Sequence, residues 1–341
     1  MVVTTIGVEK DDLVIPIVDF SNFVHGSAAA KLAAGESIYH AFKTSGFVYL
    51  RNHGIPSGTV SDVFARSAEF FKRPQEQKDS LAWTTPESNR GYVTFGREKV
   101  TQSSDIREVS KLRASNPDLK ESMEIGKEGV PDQPNLWPEE MDVEGKVFTT
   151  TMKSFFLTCN ELHVNLMRAI ALGMGLDENF FDSFTSGADN TLRLLHYPQV
   201  LKSVFKDNPD QVRAGEHSDY GSITLLFQDD VGGLEVKTPQ NTFVRAKPID
   251  GTVVINAGDL LSRWSNDEIK STNHRVVQPP AQEKDELEMY PARYSIAYFC
   301  NPNFESTIEA LPGTWEELPE GKKYPAVNSG DYLVQRLTAT Y

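Results

Sequence analysis

The stretch His217-Ser218-Asp219-Tyr220-Gly221-Ser222-Ile223-Thr224-Leu225-Leu226-Phe227 decides the fold of this chain. Its second half is rich in β-branched and apolar residues, which predicts a strand from Ser222 to Phe227. The same kind of pattern recurs from Thr191 onward, where short apolar runs are separated by Gly, Pro and Asn. The predicted strands are 192–197, 223–227, 233–236, 252–255, 275–277 and 294–299. Such a series of short strands predicts a β-sandwich or jelly roll.

Three candidate metal ligands accompany these strands. His217 and Asp219 come just before one strand, and His274 comes just before another. Side chains two apart on a strand point to the same side, so His217 and Asp219 would face one ion. Two imidazoles and one carboxylate leave three positions of an octahedral metal open, which suits Fe(II) in oxygen-activating enzymes. Zinc is the rival metal, but a closed zinc site needs four ligands, and neither cysteine has a partner at zinc-finger spacing.

The predicted strand Arg293-Tyr294-Ser295-Ile296-Ala297-Tyr298-Phe299 carries a second functional pattern. A period of two places Arg293, Ser295, Ala297 and Phe299 on one face. A guanidinium pairs with a carboxylate through two parallel hydrogen bonds, and a serine hydroxyl adds a further donor. We therefore expect Arg293 and Ser295 to bind the carboxylate of a small acid, with Phe299 on the same wall.

The strand over 192–197 offers further candidates by the same alternation. Arg193, Leu195 and Tyr197 share one face, while His196 points to the opposite face. Tyr197 is expected to donate to the acid ligand and Arg193 to a polar substrate. His196 is expected to be a structural histidine.

The N-terminal half is predicted to mix helices with a few strands. Leu13 to Phe20 is typical of an opening strand, and Pro16 within it favours a position at the edge of the sheet. Helical spacing of apolar residues predicts helices over 28–45 and 60–71. Between them, Gly46 to Leu50 is predicted to form a strand.

The domain organisation follows from the middle of the chain. Residues 84–145 contain many Pro, Gly and acidic residues, which predicts an irregular segment over the surface. Residues 150–176 carry an apolar stripe at steps of three and four, which predicts a long scaffold helix. We therefore expect a helical and strand elaboration over 1–145, and a backing helix with the β core over 146–341, within a single structural domain.

Composition limits the class of partner. The chain has 341 residues, of which 39% are hydrophobic, so it can bury a large core. Its formal net charge of −14 argues against binding to nucleic acid or to an anionic membrane. The N-terminus has no signal-peptide pattern, no apolar run is long enough to span a bilayer, and there are only two cysteines. We expect a cytoplasmic protein that acts on a small molecule.

His217-Ser218-Asp219, His274-Arg275-Val276 and Arg293-Tyr294-Ser295 together resemble the motifs of the isopenicillin-N-synthase-like 2-oxoglutarate/Fe(II) dioxygenases. In the N-terminal half, residues 15–19 and 46–54 are similar to the opening segments of that family. The resemblance covers nearly the whole chain. It implies an α+β fold whose core is a double-stranded β-helix, or jelly roll, with an N-terminal helical elaboration.

The family resemblance also implies a set of site residues. Fe(II) would be bound by His217, Asp219 and His274, and O2 would react there. The cosubstrate 2-oxoglutarate would be held through its distal carboxylate by Arg293 and Ser295, with Tyr197 beside them. One departure from the wider family is Leu195, because many members carry an asparagine at that position.

Within this family, several segments are similar to those of fungal thymine dioxygenases. They include Asn89-Arg90-Gly91-Tyr92, residues 97–102 and residues 192–198. This resemblance implies hydroxylation of the 5-methyl group of thymine, with further rounds to 5-formyluracil and 5-carboxyuracil. It also implies that the pyrimidine stacks between Tyr220 and Phe299 and accepts a hydrogen bond from Arg193.

Three other functions fit the same motifs. An oxygenase of this family could act on an aromatic or polyketide methyl group, or expand a ring, in a fungal biosynthetic pathway. An oxidase could use O2 without 2-oxoglutarate, with Arg293 and Ser295 holding the carboxylate of the substrate. A non-catalytic receptor could keep the fold as a ligand-binding shell, although such a shell has no need of an iron triad.

Overall fold

Two β-sheets face each other in the computed structural model, which describes residues 5–99, 106–279 and 288–340. The large sheet has nine strands in the order β1-β2-β3-β12-β9-β15-β6-β5-β4, and the small sheet has four in the order β11-β10-β13-β8. The strands of the large sheet are β1 Thr5–Lys10, β2 Leu13–Asp19, β3 Phe47–Arg51, β4 Gly91–Val93, β5 Glu121–Gly126, β6 Thr191–Tyr197, β9 Ile223–Gln228, β12 Thr252–Ala257 and β15 Arg293–Cys300. Those of the small sheet are β8 Ala214–His217, β10 Leu234–Lys237, β11 Phe243–Arg245 and β13 His274–Val276.

Short strand pairs and ten helices complete the described elements. The pairs are β7 Val200–Leu201 with β14 Met289–Tyr290, and β16 Thr307–Ile308 with β17 Val327–Asn328. The helices of the described residues are α1 Ser21–His25, α2 Ala28–Thr44, α3 Ser57–Phe71, α4 Gln75–Asp79, α5 Ile106–Ser115, α6 Val143–Gly173, α7 Asp182–Thr185, α8 Lys202–Asp207, α9 Asp259–Trp264 and α10 Ser329–Thr340. None of the described helices has the length and apolar content needed to cross a bilayer.

The alternation of side chains on β15 separates the core into two layers, as its sequence predicts. Ile296, Tyr298 and Cys300 join the large apolar cluster that packs against α2, α3 and α6. Ala297 and Phe299 face the other way, into a smaller cluster shared with the small sheet. The faces of β15 therefore divide the molecule into a scaffold side and an interior between the two sheets. The prediction of an α+β jelly roll is confirmed.

The interior between the sheets is filled differently at its two ends. At the β1–β2–β3 end, it is a continuous apolar cluster containing Phe47, Tyr49 and Leu234. At the β6–β15 end, a few apolar side chains such as Leu195 and Val276 surround polar and charged groups. A close-packed interior gives no room to a ligand, so the site lies at the β6–β15 end.

The predicted edge position of Pro16 is wrong. The strand β2 is paired on both sides, antiparallel to β1 and parallel to β3. Pro16 lies opposite Ile6, where the register of β1 shifts between Ile6 and Val8. A proline that lacks an N–H is tolerated at such an irregularity even inside a sheet.

The prediction of an irregular surface segment over 84–145 is also wrong in part. Two strands of the large sheet, β4 and β5, come from this segment, and all six residues of β5 are buried. Acidic residues such as Glu121 and Glu124 usually lie at the surface, so composition predicted exposure. Both are buried here because each pairs with a buried cation, Glu121 with Lys78 and Glu124 with Arg193.

The other predicted elements agree closely with the structure. The helices predicted over 28–45, 60–71 and 150–176 correspond to α2, α3 and α6, although α6 begins earlier than predicted, at Val143. Five of the nine large-sheet strands come from residues before 146 and four from later residues. This shared sheet supports our proposal that 1–145 and 146–341 form one structural domain. The sequence has an acidic run from Glu283 to Glu288, of which only Glu288 belongs to the described residues.

Candidate active site

The predicted metal ligands come together at one end of the small sheet. His217 ends β8, His274 begins β13, and these two residues are direct partners in the antiparallel ladder. Asp219 follows in the turn that leads to β9. Its Oδ1 lies 3.9 Å from Nε2 of His217 and 3.7 Å from Nε2 of His274. The three ligand atoms lie within 4.8 Å of one another, and they form the only such cluster among the described residues.

Hydrogen bonds orient each of the three side chains. Nδ1 of His217 donates to the Gly215 carbonyl at 2.7 Å, and Nδ1 of His274 donates to the Thr272 carbonyl at 3.2 Å. Each imidazole therefore presents the lone pair of Nε2 to the centre of the cluster.

The carboxylate of Asp219 is also oriented by hydrogen bonds. Oδ2 of Asp219 accepts hydrogen bonds from Asn256 Nδ2 at 2.7 Å and from Thr224 Oγ1 at 2.5 Å. These partners leave Oδ1 to bind an ion. Outer partners of this kind fix the geometry of a metal site and raise its affinity.

The protonation states also fit a divalent metal. Burial and the neighbouring His274 lower the pKa of His217 to about 3. Burial alone would raise the pKa of Asp219, but the two histidines and its hydrogen bonds lower it overall. At neutral pH, His217 is a neutral donor and Asp219 an anion, as metal binding requires. Two nitrogen donors and one carboxylate on one face match the ligand set of non-haem Fe(II) oxygenases.

Arg293 and Ser295 lie deeper between the sheets, on the inward face of β15. Arg293 is 1% exposed, and its Nη1 lies 3.0 Å from Ser295 Oγ. Its guanidinium carbon lies 4.9 Å from the centre of the Tyr197 ring. Among the described residues, the buried Nε of Arg293 has no hydrogen-bond partner, and its guanidinium forms no ion pair, although the charge of Asp229 acts on it from a longer distance. A buried arginine without a paired acid among these residues fits the carboxylate of a ligand.

Arg213 is a second buried arginine, which the sequence analysis missed. It is 0% exposed, and its Nη2 donates to the Pro291 carbonyl at 2.7 Å. Its Nε and Nη1 are buried without a hydrogen-bond partner among the described residues. Burial and the nearby charge of Arg293 lower the pKa of Arg213 to about 10. Two guanidinium groups close together in the interior favour an anion between or beside them.

A separate cavity opens next to the metal ligands. It encloses about 540 Å³ of space between atoms, with open solvent at its mouth included. This size is typical of sites for small molecules. The cavity is lined by Asn89, Glu98, Thr191, Arg193, His217, Ser218, Asp219, Tyr220, Gly221, Phe299, Asn301, Leu333, Leu337 and Thr340.

The three residues predicted to contact substrate all line this cavity. The guanidinium carbon of Arg193 lies 5.1 Å from the centre of the Phe299 ring, and Tyr220 borders the same space. The structure adds a feature that the sequence did not predict. Arg193 is also paired with two buried carboxylates, at 3.2 Å from Glu98 and 2.8 Å from Glu124.

The C-terminal helix α10 closes one side of the cavity and was not predicted to do so. It contributes Leu333, Leu337 and Thr340 to the lining. Oγ1 of Thr340 lies 2.8 Å from the Tyr220 hydroxyl. The guanidinium of Arg336 lies 4.4 Å above the Tyr220 ring and 3.2 Å from Asp259. The helix is thus attached to a cavity residue through both its ring and its hydroxyl.

Asn89 and Glu98 are the other lining residues that sequence reasoning missed. Both lie in the segment that composition indicated to be irregular, where periodicity gives no guide to side-chain direction. A signal was nevertheless present, because 89–92 and 97–102 are among the segments that resemble fungal thymine dioxygenases. A buried carboxylate, however, cannot be recognised from sequence without its partners.

Comparisons with known proteins agree with this geometry. A family model described as 2OG-Fe(II) oxygenase superfamily matches residues 188–302. A second, described as non-haem dioxygenase in morphine synthesis N-terminal, matches residues 15–140. The chain is 34% identical to the 2-oxoglutarate-Fe(II) type oxidoreductase ppzD of Metarhizium rileyi, over 95% of this chain and 90% of that protein. It is also 34% identical to the proline hydroxylase buaE of Petromyces alliaceus, over 95% and 98% of the two chains.

A solved structure is more similar. Full-length thymine 7-hydroxylase of Neurospora crassa, in complex with 2-oxoglutarate and thymine, has a TM-score of 0.90 and 57% sequence identity. The match covers 99% of this chain and 100% of that chain. A complex of the same enzyme with 2-oxoglutarate and 5-formyluracil has a TM-score of 0.88 and 54% identity, covering 98% and 99%.

Family membership has direct consequences for function. It makes the chain an enzyme whose cosubstrate is 2-oxoglutarate and whose metal is Fe(II). The non-catalytic receptor and the oxidase that works without 2-oxoglutarate are therefore set aside. With its jelly-roll fold and its cluster of two histidines and an aspartate, this chain belongs to the 2-oxoglutarate/Fe(II)-dependent oxygenase superfamily.

Proposed function

We propose that this enzyme hydroxylates the 5-methyl group of thymine. Each round consumes O2 and 2-oxoglutarate, places one oxygen atom on the substrate, and releases succinate and CO2. The first product is 5-hydroxymethyluracil, and two further rounds give 5-formyluracil and 5-carboxyuracil. The substrate is a free small molecule rather than a base within nucleic acid.

The observation that carries this proposal is the lining of the cavity beside the metal ligands. Tyr220, Phe299 and Arg193 border the same space as His217 and Asp219. Aromatic rings bind a flat heterocycle by stacking, at a gain of roughly 1 kcal/mol beyond area burial. A guanidinium donates to carbonyl oxygens and so selects the orientation of the ring. Similarity to the Neurospora thymine 7-hydroxylase with thymine bound adds support.

The resident residues have separate tasks in this reaction. Arg293 and Ser295 would hold the distal carboxylate of 2-oxoglutarate, and the flat face of Tyr197 supports the guanidinium. His217, Asp219 and His274 would hold Fe(II) on one face only. When bound, the iron supplies the oxidising chemistry that breaks the C–H bond of the substrate. Leu333 and Leu337 narrow the access of water to the cavity.

The polar residues of the cavity determine which C–H bond faces the metal. Arg193 lies on β6, in the large sheet, and its contacts with Glu98 and Glu124 keep the guanidinium in place. A donor fixed in this way holds the carbonyl edge of a pyrimidine away from the metal ligands, so the methyl group is presented to them. A small misplacement of the reacting atom costs a large factor in rate.

An oxygenase of the same family with another substrate is the second candidate. Two curated relatives at 34% identity favour it, because one is named a proline hydroxylase and the other a 2-oxoglutarate-Fe(II) type oxidoreductase. An aromatic or polyketide methyl group, or a ring that is expanded, would serve as the substrate in a fungal biosynthetic pathway. Such an enzyme would share the metal and 2-oxoglutarate residues and differ at the cavity lining.

A substrate panel tests the proposal. The iron-loaded enzyme is supplied with 2-oxoglutarate and O2, and with thymine, methylated phenols or proline derivatives. We expect thymine to give succinate and 5-hydroxymethyluracil in equal amounts in the first round, as measured by mass spectrometry. Succinate formation that a phenol stimulates and thymine does not would favour the second candidate.

A further inference from the structure

Six charged residues form a buried charge cluster behind the cavity wall. They are Glu98, Lys99, Asp118, Lys120, Glu124 and Arg193, and each is 8% exposed or less. Three are anions and three are cations, so the cluster is neutral overall. Transferring charges from water to the interior costs several kcal/mol per ion, which close pairing must offset.

Glu98 is the anion of this cluster that reaches the cavity. Of the six residues, Glu98 and Arg193 line it. Oε1 of Glu98 lies 3.2 Å from Arg193 Nη1, and Oε2 lies 3.2 Å from Lys120 Nζ. Lys120 is held in turn at 3.6 Å from Asp118. Two cations thus fix the carboxylate at the boundary between the cluster and the cavity.

The pKa values of the two carboxylates of Arg193 are shifted in opposite directions. Burial alone would raise the pKa of Glu98, but Lys120 and Arg193 outweigh burial and lower it to about 2. Burial raises the pKa of Glu124, and the charge of Arg193 does not overcome this. Glu98 is therefore an anion at neutral pH. An ionised carboxylate only accepts hydrogen bonds, so it favours a ligand that donates one.

Two donors accompany this acceptor in the cavity lining. Arg193 offers guanidinium N–H groups, and Asn89 lines the same space. Oδ1 of Asn89 accepts from the indole N–H of Trp83 at 3.0 Å, which leaves the amide NH2 group to donate. The lining thus presents one acceptor and two donors. The imide edge of a pyrimidinedione has the opposite set, namely one N–H between two carbonyl groups.

We propose that Glu98 determines substrate specificity by accepting a hydrogen bond from the imide N3–H of the pyrimidine. This inference rests on the proposed thymine activity and deepens it. A ring that carries a substituent on N3 would place an alkyl group against a buried carboxylate and leave that carboxylate without its donor. A ring substituted on N1 keeps the imide edge. The site therefore selects pyrimidinediones by an N–H group as well as by shape.

Two N-methyl isomers test the inference without a mutation. Binding of thymine, 1-methylthymine and 3-methylthymine to the anaerobic enzyme loaded with Fe(II) and 2-oxoglutarate is measured by calorimetry. We expect 3-methylthymine to bind about 10- to 100-fold more weakly than 1-methylthymine, the range of a hydrogen bond to a charged group. Equal binding of the two isomers by the wild-type enzyme would overturn the inference.

Glu98→Gln is then compared with a matched variant, Glu124→Gln. Both changes remove one carboxylate next to Arg193, but Glu98 lines the cavity and Glu124 lies behind it. In Glu98→Gln, we expect thymine binding to weaken by about tenfold or more and the difference between the isomers to fall to a few-fold. In Glu124→Gln, all affinities fall together and the difference remains.

The outcomes separate this inference from the proposed function. If the wild-type enzyme does not bind thymine, the proposed function fails and the role of Glu98 fails with it. If thymine binds and Glu98→Gln keeps the full difference between isomers, only the role of Glu98 is overturned. If Glu98→Gln does not fold, as judged by its melting transition and 2-oxoglutarate binding, the wild-type isomer series decides.

Discussion

The two proposed binding regions of this enzyme differ in how far they extend beyond the large sheet. Arg293, Ser295 and Tyr197, which we propose bind the cosubstrate, all lie on β15 and β6. The proposed substrate region takes Arg193 and Phe299 from the same two strands, and adds Asn89 and Glu98 from either side of β4, Tyr220 from a turn, and side chains of α10. Chemistry common to a whole superfamily is thus placed on a rigid ladder. Selection of the substrate, as proposed, also depends on loops, a turn and a helix outside that ladder.

The two regions also differ in whether their buried arginines are paired with carboxylates. In the cosubstrate region, Arg293 and Arg213 are buried without carboxylate partners among the described residues, so an incoming anion completes them. In the substrate region, Arg193 already has Glu98 and Glu124. The first arrangement suits a ligand that is a dianion. The second suits a neutral ring, because an arginine already paired with carboxylates offers a ligand directional hydrogen bonds but little net charge.

Asp219→Ala should give the largest effect, because it breaks the metal site on which both regions depend. We expect loss of bound iron and of succinate formation together, measured by metal analysis after anaerobic loading and by mass spectrometry. Asn256→Ala, which removes only a hydrogen bond to Oδ2, is the graded control and should weaken metal binding by about 10- to 100-fold. Normal turnover by Asp219→Ala would refute the assignment of the triad.

Arg293→Met should act on the cosubstrate region alone. Losing a buried charge partner costs about 3–5 kcal/mol, so the Kd for 2-oxoglutarate should rise by about 100- to 4,000-fold. Arg293→Lys should recover part of this loss, because an ammonium lacks the planar fork. Calorimetry on the metal-loaded enzyme measures both variants. Equal affinity for 2-oxoglutarate in wild type and Arg293→Met would contradict the assigned role.

Arg213→Met separates stability from affinity in the same region. Removing a desolvated charge next to Arg293 should leave the melting temperature of the ligand-free protein unchanged or higher. The affinity for 2-oxoglutarate should fall by about tenfold, as expected for one lost charge-assisted contact. Thermal melts with and without 2-oxoglutarate give both quantities. A lower melting temperature with unchanged affinity would show that Arg213 is purely structural.

Arg336→Gln should act on the substrate region alone. It removes the cation above Tyr220 and the ion pair with Asp259. A cation–π contact contributes about 0.5–2 kcal/mol, so the KM for thymine should rise about two- to thirtyfold while the KM for 2-oxoglutarate stays constant. Gln335→Ala, at an exposed position of the same helix, is the control. A parallel rise in both KM values would mean that the two regions are not independent.

The stability of the folded protein should depend on pH in the acidic range because of Glu98. The folded protein holds the pKa of Glu98 at about 2, below its ordinary value of 4.5. As the pH falls through this window, the unfolded chain takes up the proton first, so the stabilisation present above pH 4.5 is lost towards pH 2. Wild type should therefore lose up to about 1.4 kcal/mol more per pH unit than Glu98→Gln in this window. Urea unfolding at several acidic pH values measures the difference, and identical slopes would contradict it.

The sequence predicted the two regions unequally. Strand periodicity placed Arg293, Ser295 and Phe299 on one inward face, because a period of two is a local property of the backbone. The same argument was applied to His217 and Asp219, but Asp219 lies in the turn after β8 and not on a strand. The edge position predicted from Pro16 was wrong, because Pro16 lies opposite a shift in the register of β1. That shift depends on a second segment of the chain, which the local sequence around Pro16 does not reveal.

Apart from Arg193 and Phe299, residues of the substrate region could not be derived from local pattern. Glu98, Asn89 and the residues of α10 reach the cavity through loops and long-range packing, and no periodicity encodes such directions. Arg213 was missed for a related reason, since its importance comes from two buried guanidinium nitrogens, Nε and Nη1, that have no hydrogen-bond partner among the described residues. Pairing between residues distant in sequence, such as Arg193 with Glu98, is visible only in three dimensions.

A crystal structure of the enzyme with Fe(II), 2-oxoglutarate and thymine, prepared without oxygen, tests the central claim most directly. We predict that the pyrimidine lies between Tyr220 and Phe299, with its 5-methyl carbon as the substrate atom nearest the metal and its N3–H directed to Glu98. Thymine bound outside this cavity, or bound with its methyl group turned away from the metal, would contradict the account.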